Sequence, residues 1–471
     1  MSFRLLGSAA AVTLLFAALA LTTYAKKCSL PIMKERVERL NASKWIAEAV
    51  MVPMRDNVKL HTVVISPLFS NKTAWPVVID RSPYGENKTE LLADIFLLFD
   101  FVAIGQDMRG TCDSEGKFSI FHSDTNDGAD TLAWIKAQPW CDGNIYEIGA
   151  SADGIASFEL ALSKPTDLKS QFIIFATAEA KETFFPGGAY RYGLIENWIN
   201  GTVPKQKVVA LNTIKSHEAL GPYWTDVEIN GPQYKIITWP TVMWAGWYDI
   251  FLRGNLMAFE GYQKLSDPSV RGKQFLLIDP CGHCQTAAKF FPQHAIAGRS
   301  ILAILQAILM FKGEAPIKGI DSLTFYVMGA MDAPAKVGNY FTTLPDWPAF
   351  AATQMYLHGD GSLQSTPNPA ALNQSSSYKY DPANPTPTVG GNNLEIPCGP
   401  LDQSEVEKRD DVLVFTSAPL TQHMALTGPL SATLYVSVAS VNDTDFSVKF
   451  TDVNSNGTSQ LIQASSSVGL V

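Results

Sequence analysis

Between about residues 45 and 285 the chain alternates short runs rich in β-branched and aromatic residues with runs of helical texture. Strands are predicted at 58–66 (VKLHTVVIS), 75–84 (WPVVIDRSPY), 101–110 (FVAIGQDMRG), 145–151 (IYEIGAS), 170–178 (SQFIIFATA), 239–250 (WPTVMWAGWYDI) and 273–283 (KQFLLIDPCGH). Several are apolar at consecutive positions, as a strand covered on both faces must be. Between the third and fourth, 126–138 (NDGADTLAWIKAQ) opens on turn and acidic residues, then spaces Leu132 and Ile135 three apart, as a helix does. Such strand–helix alternation predicts a doubly wound, largely parallel α/β sheet.

Two stretches break the rhythm. Residues 180–235 (ETFFPGGAYRYGLIENWINGT and beyond) are aromatic and irregular, with short helical pieces, and read as a helical cap inserted over the sheet and lining a substrate pocket. After residue 317, LTFYVMG, TQMYLHG, SSYKYDP, DVLVFTS, PLSATLYVSVAS and TDFSVKFTD alternate apolar and polar positions between Pro, Gly, Asn and Asp. That texture predicts an all-β antiparallel sandwich. The Pro- and Asn-rich 381–393 reads as a long surface loop. The expected division is a signal peptide over 1–25, an α/β domain over 26–317 and a β-sandwich over 318–471.

Composition narrows the function classes. The 471 residues are 46% hydrophobic, enough for a sizeable core, and carry a net charge of −9 with no long basic run. Nucleic acid and anionic membrane surfaces are therefore not expected partners. Arg4 precedes an apolar run over 5–21, and Thr23 and Ala25 offer a cleavage point before Lys26, the layout of a cleaved signal peptide. Glycosylation sequons begin at Asn41, Asn71, Asn87, Asn200, Asn373, Asn442 and Asn456, where chance gives about two or three. Both features predict a glycoprotein of the secretory lumen or exterior, with no membrane span after cleavage. The apolar 301–311 is too short to span and reads as a buried helix. In an oxidising compartment some of Cys28, Cys112, Cys141, Cys281, Cys284 and Cys398 are expected to pair, with connectivity open.

The candidate chemistry centres on Ser151, in IGASADGIASFELAL. A serine hydroxyl needs a base within hydrogen-bond reach and a group that orients the base. A sharp strand-to-helix elbow, with small neighbours such as Gly149 and Gly154, lifts the hydroxyl clear of the sheet. Chain order supplies the partners: Asp249 ends one predicted strand and His283 another, in the order serine, acid, histidine. Both are strand C-termini, where ligands sit in open α/β sheets. Cys281-Gly282-His283-Cys284 also matches a disulfide-exchange sequence, but it closes a strand deep in the α/β pattern instead of opening a helix in a thioredoxin-sized unit.

SPYGENK, QDMRGTCDSEGKF, DTLAWIKAQPWCDGNIYEIGAS, GWYDIFLRG, DPCGH and CGPLDQSEVEKRDDVLVFTSAPL resemble, in order, blocks of the cocaine-esterase and X-Pro dipeptidyl-peptidase family of α/β-hydrolases. The resemblance runs from about residue 45 to the C-terminus. It implies an α/β-hydrolase sheet with a helical cap, followed by a C-terminal jelly-roll sandwich, here expected to be incomplete because family members continue beyond it. It further implies Ser151 as nucleophile, His283 as general base, Asp249 as its orienting carboxylate, and an oxyanion hole of the Ala152 backbone N–H and the Tyr84 hydroxyl. Family members usually carry an aromatic residue where this chain has Ala152, and a Pro-Trp-type segment before the histidine. Cys112 and Cys141 fall in neighbouring blocks and are expected to pair, a Cys281–Cys284 bridge would stiffen the loop of the base, and Arg109 is expected to pair with Asp107.

The implied reaction is hydrolysis of an ester, amide or short peptide through an acyl-enzyme, needing no cofactor and no metal. Amino-ester hydrolases of this type place acidic residues after the triad aspartate, where this chain has Ile250, Phe251 and Leu252. X-Pro peptidases of the family add an N-terminal domain for which about 20 residues before the first strand leave no room. The expectation is an esterase or amidase for apolar acyl groups, with two alternatives: an X-Pro dipeptidyl-peptidase, and a secreted binding protein on a disabled hydrolase scaffold.

Overall fold

The computed structural model describes residues 45–67, 72–85, 89–283, 291, 300–331, 338–369, 375–394, 396–439 and 443–470. The expected signal peptide, Cys28, Cys284 and the sequons at Asn41, Asn71, Asn87, Asn373 and Asn442 lie outside them.

Ten strands make one sheet: β1 (Trp45–Pro53), β2 (Lys59–Pro67), β3 (Trp75–Ser82), β4 (Val102–Asp107), β5 (Cys141–Ala150), β6 (Leu168–Ile174), β7 (Thr241–Tyr248), β8 (Phe275–Gly282), β9 (Leu323–Val327) and β10 (Tyr340–Leu344). Their order is β1-β2-β4-β3-β5-β6-β7-β8-β9-β10. From β4 to β9 every neighbour is parallel, while β1, β2 and β10 add antiparallel edges. Each of the seven strands read from the apolar runs is present.

The double-sided apolar pattern has its expected cause. Along β8, Leu276 and Ile278 enter one core while Phe275 and Leu277 enter the other. One face is covered by α1 (Thr89–Phe96) and, near the C-terminal end of the sheet, by α8 (Ser300–Phe311), the short apolar helix read at 301–311. The other carries α2 (Asp124–Lys136), α3 (Ala152–Leu162) and α7 (Leu252–Leu265). Between β6 and β7 lie α4 (Ala180–Phe184), α5 (Tyr192–Thr202) and α6 (Lys207–Lys215), within the stretch read as a cap. Among the described residues no helix is long and apolar enough to cross a membrane.

Some features differ from the reading of the chain. The main sheet continues past residue 317, where β9 pairs with β8 and β10 with β9. β1 escaped the reading: an edge strand leaves Ile46 and Met51 exposed, which blurs its alternation. The C-terminal region is β-rich but forms fewer ladders than its texture predicts. It contains β11 (Tyr356–Leu357) with β12 (Leu363–Gln364), and β13 (Asp443–Val453) with β14 (Ser459–Leu470). The stretches 376–382, 411–417 and 429–439 form no strand there, and Leu430, Leu434 and Tyr435 are exposed. Alternation marks a chain able to line a sheet face; it does not provide the neighbour that completes the ladder.

Beneath α3 the core holds charged groups that apolar periodicity cannot reveal. Fully buried Arg81 bonds Asp124 Oδ1 at 2.8 Å, while Glu147 takes Gln171 Nε2–H at 2.7 Å. Burial pushes the Glu147 carboxyl up to about 7 and Asp124 up to about 6. Both values lie above those of the unfolded chain, so the stability these groups allow is full below pH 4 and is lost as pH rises through about 7. From Glu147 alone that loss is on the order of 3 kcal/mol. Urea unfolding at pH 5 and pH 8 should show the wild-type chain weaker at pH 8. Glu147→Gln, which keeps an oxygen for Gln171, should remove much of that difference; an unchanged pH dependence in the variant would contradict the assignment.

Candidate active site

The site stands on the C-terminal edge of the parallel strands. Ser151 follows β5 with φ 64° and ψ −125°, a left-handed conformation outside the ordinary range for a side-chain-bearing residue. Its own N–H reaches Ile174 O at 3.0 Å, and its carbonyl accepts Ile155 N–H at 3.0 Å, so β6 and α3 hold the elbow from both sides. A Cβ at Gly149 would meet Asp153 O at 2.5 Å, and one at Gly154 would meet Ala176 Cβ at 2.6 Å. The small residues flanking Ser151 are therefore a steric requirement of the turn.

Asp249 follows β7 and His283 follows β8. His283 Nε2 is 2.9 Å from Ser151 Oγ, and His283 Nδ1 is 2.6 Å from Asp249 Oδ2. Asp249 Oδ1 accepts Phe251 N–H at 2.7 Å, which fixes the carboxylate plane. With Nδ1–H donated to Asp249, Nε2 is the lone-pair nitrogen facing the hydroxyl, the tautomer a general base needs. The three side chains expected from the sequence thus form one hydrogen-bonded line. They are less open than the elbow alone predicts: Ser151 is 7% exposed, His283 3% and Asp249 1%.

The two expected oxyanion donors sit on adjoining elements. Ala152 is the first residue of α3, where a backbone N–H has no partner within the helix and meets the positive end of its dipole. Tyr84 lies two residues past β3, which neighbours β5 in parallel. Ile79 pairs with Glu147, and continuing that register brings Pro83 level with Ser151.

Residues that the sequence reading missed complete the surroundings. Trp198, on α5, donates its Nε1–H to the Tyr84 hydroxyl at 3.0 Å, so the phenol oxygen is an acceptor there. Trp198 is itself stacked on Phe121 and flanked by Phe118 and Phe184. Phe251 and Phe175 present ring edges or faces to His283 at centroid distances of 5.1 and 6.1 Å. Arg191 reaches Ile250 O at 3.4 Å, and burial draws its pKa down while Asp249 opposes the fall. Asn392, from the predicted surface loop, donates Nδ2–H to Asp249 O at 2.7 Å. An aromatic-rich insertion was the available signal for Trp198; nothing local marked Asn392.

Three pairings differ from expectation. Cys112 is disulfide-bonded, but Cys141 is a free thiol, so the Cys112–Cys141 bridge is not made and the partner lies outside the described residues. Cys281 is a buried thiol, so it makes no bridge to Cys284, which is itself outside the described residues. Arg109 turns to Asp127 at 2.6 Å and Asp56 at 2.7 Å, leaving Asp107 to face His61 at 3.5 Å. β4 ends at Asp107, so Arg109 lies beyond the strand, where the i, i+2 alternation that would place it on the face of Asp107 no longer holds.

The profile of the X-Pro dipeptidyl-peptidase (S15 family) matches residues 56–210, and that of the X-Pro dipeptidyl-peptidase C-terminal non-catalytic domain matches 320–467. The chain belongs to the cocaine-esterase and X-Pro dipeptidyl-peptidase family. It is a serine hydrolase. The cocaine esterase of Rhodococcus sp. (strain MB1 Bresler) is 28% identical, over 88% of this chain and 81% of its own length. Among solved structures, an aminopeptidase from a marine-sediment Thaumarchaeota archaeon covers 91% of this chain and 82% of its own, at 19% identity and a TM-score of 0.67. An α-amino acid ester hydrolase covers 91% and 83%, at 18% identity and a TM-score of 0.65. These two likenesses establish the α/β-hydrolase fold with its β-rich C-terminal part.

The oxyanion role that the family resemblance implies for Tyr84 carries a kinetic signature. Tyr84→Phe should lower kcat roughly 10²–10³-fold with KM little changed. Trp198→Phe, which keeps a ring but removes the N–H, should lower the same parameter by about tenfold. Steady-state kinetics on a p-nitrophenyl ester measure both; an effect confined to KM would assign Tyr84 to substrate binding instead.

Proposed function

We propose that this serine hydrolase is a secreted esterase or amidase in which Ser151 is the nucleophile, His283 the general base and Asp249 the carboxylate that orients it. The observation that carries the reading is the pair of hydrogen bonds running from Ser151 Oγ through the imidazole to Asp249, at 2.9 and 2.6 Å. His283 would take the serine proton as Oγ attacks the carbonyl carbon, then give it to the leaving alkoxide or amine. A water would enter by the same route to release the acyl group. The negative oxygen of each tetrahedral intermediate would be met by the Ala152 N–H and the Tyr84 hydroxyl.

The surroundings support an apolar, uncharged acyl group. Ile250, Phe251 and Leu252 after the aspartate are all buried, and Phe251 and Phe175 border the imidazole. A free amino terminus, as in an X-Pro dipeptide or an α-amino ester, calls for a carboxylate partner that these positions do not provide. The match to the X-Pro dipeptidyl-peptidase profile keeps exopeptidase activity as the second reading. Secretion is supported by the N-terminal pattern and by the sequons, of which Asn200 and Asn456 are exposed.

A fluorophosphonate probe should label the wild-type protein at Ser151, and p-nitrophenyl butyrate should be hydrolysed. In Ser151→Ala, labelling should vanish and kcat fall by roughly four to six orders of magnitude. Faster cleavage of Gly-Pro-p-nitroanilide than of the butyrate would favour the exopeptidase. A wild-type protein that neither labels nor hydrolyses would leave the binding-protein reading.

A further inference from the structure

We propose a divalent-cation site, with zinc as the fitting ion, formed by His61, Asp107 and Asp113 and separate from the catalytic line. His61 is the third residue of β2 and Asp107 the last of β4. The antiparallel register pairs Thr62 with Gln106, so His61 and Asp107 face one another across the ladder with side chains on the same face. Asp113 arrives from the loop after β4, and its backbone N–H is held by Asp107 Oδ2 at 3.1 Å. One ring nitrogen and two carboxylate oxygens thus lie within 4.8 Å of one another.

His61 Nδ1 and Asp107 Oδ2, 3.5 Å apart, already have the separation of two ligands in a tetrahedral zinc shell with bonds of about 2 Å. A carboxylate oxygen of Asp113 lies within 4.8 Å of both. Imidazole with carboxylate is a borderline ligand set that suits zinc better than calcium or magnesium, which favour oxygen alone.

A second observation points to a missing partner. Asp107 is fully buried, yet its Oδ1 accepts no hydrogen bond. Among the described residues no Lys or Arg lies within ion-pair distance of Asp107 or Asp113, because the nearby Arg109 is committed to Asp56 and Asp127. A fully buried carboxylate beside an imidazole and a second, half-exposed carboxylate is an arrangement that a cation compensates.

The position gives the ion a structural task. Met108 N–H donates to Ser82 O at 2.9 Å, two residues before Tyr84, and Cys112 Sγ lies 3.9 Å from Pro83 O. A cation joining β2 to the end of β4 and to the 108–118 loop would brace the segment that carries Tyr84, taking no part in bond making.

Chelator-treated full-length protein titrated calorimetrically with zinc chloride should bind one ion per chain through these residues. Its thermal midpoint should rise by a few degrees, roughly the scale expected for about 1–2 kcal/mol in a chain of this size. His61→Gln and Asp113→Asn should each weaken that binding at least about tenfold while circular dichroism stays native. Should His61→Gln fail to fold, the half-exposed Asp113→Asn decides alone. No zinc uptake, or zinc bound as tightly by a folded variant as by the wild type, would overturn the site.

Discussion

The backbone at Ser151 is the constraint on which the rest turns. A left-handed serine costs on the order of 1–3 kcal/mol, so the surroundings must hold it in place. They do so with two backbone hydrogen bonds to different elements, and with glycines that let α3 approach β5 and the start of the β6–cap connection closely. The same strain performs two tasks at once. It lifts Oγ toward the imidazole, and it starts α3 at Ala152, directing an unpaired backbone N–H and the positive end of the helix dipole to the side where negative charge would develop. Relaxing the elbow would undo both.

The other two loops of the line are fixed from outside the α/β layers. Asn392 ties the backbone of Asp249, and the Tyr248 hydroxyl reaches Leu461 O at 2.9 Å. A side chain at Gly282 would collide with Cys398 Sγ. The C-terminal region therefore buttresses the aspartate and histidine loops, while the cap, through Trp198, orients Tyr84. The Ser151 elbow, the Asp249 and His283 loops, and the Tyr84 hydroxyl are thus held by three different parts of the chain.

What the sequence made legible follows from range. Consecutive apolar residues mark strands buried on both faces, so β2 to β8 were readable, and small residues around Ser151 marked a turn that only close approach explains. Chain order then sufficed to pick Asp249 and His283. Features set by distant partners were not readable. Glu147 and Asp124 look like solvent-facing acids until the fold buries them, and Asn392 gains its role only when residues 143 apart meet. Arg109 went to Asp127 of α2 because the strand ends two residues before it. The strand-like stretches after 375 show the same limit: alternation describes one chain, and a ladder needs two.

The proposed preference for an apolar acyl group turns on which carboxylates in and beside the cap stretch are already engaged. Glu179 is held by Arg253 at 3.1 Å, and Glu182 accepts Gly187 N–H and lies 3.5 Å from Lys181. Glu228 accepts Lys181 N–H, and burial pushes its carboxyl up to about 7, so near neutrality it carries much less than a full negative charge. None of the three is an idle carboxylate waiting for a substrate ammonium. With apolar side chains around the imidazole and the neighbouring acids occupied or partly neutralised, a charged amine would lose its hydration with little in return. A neutral acyl chain loses almost none and gains contact with Phe251 and its neighbours. That asymmetry, more than the hydrogen-bonded line itself, is what supports the proposed preference for apolar esters over amino-terminal peptides.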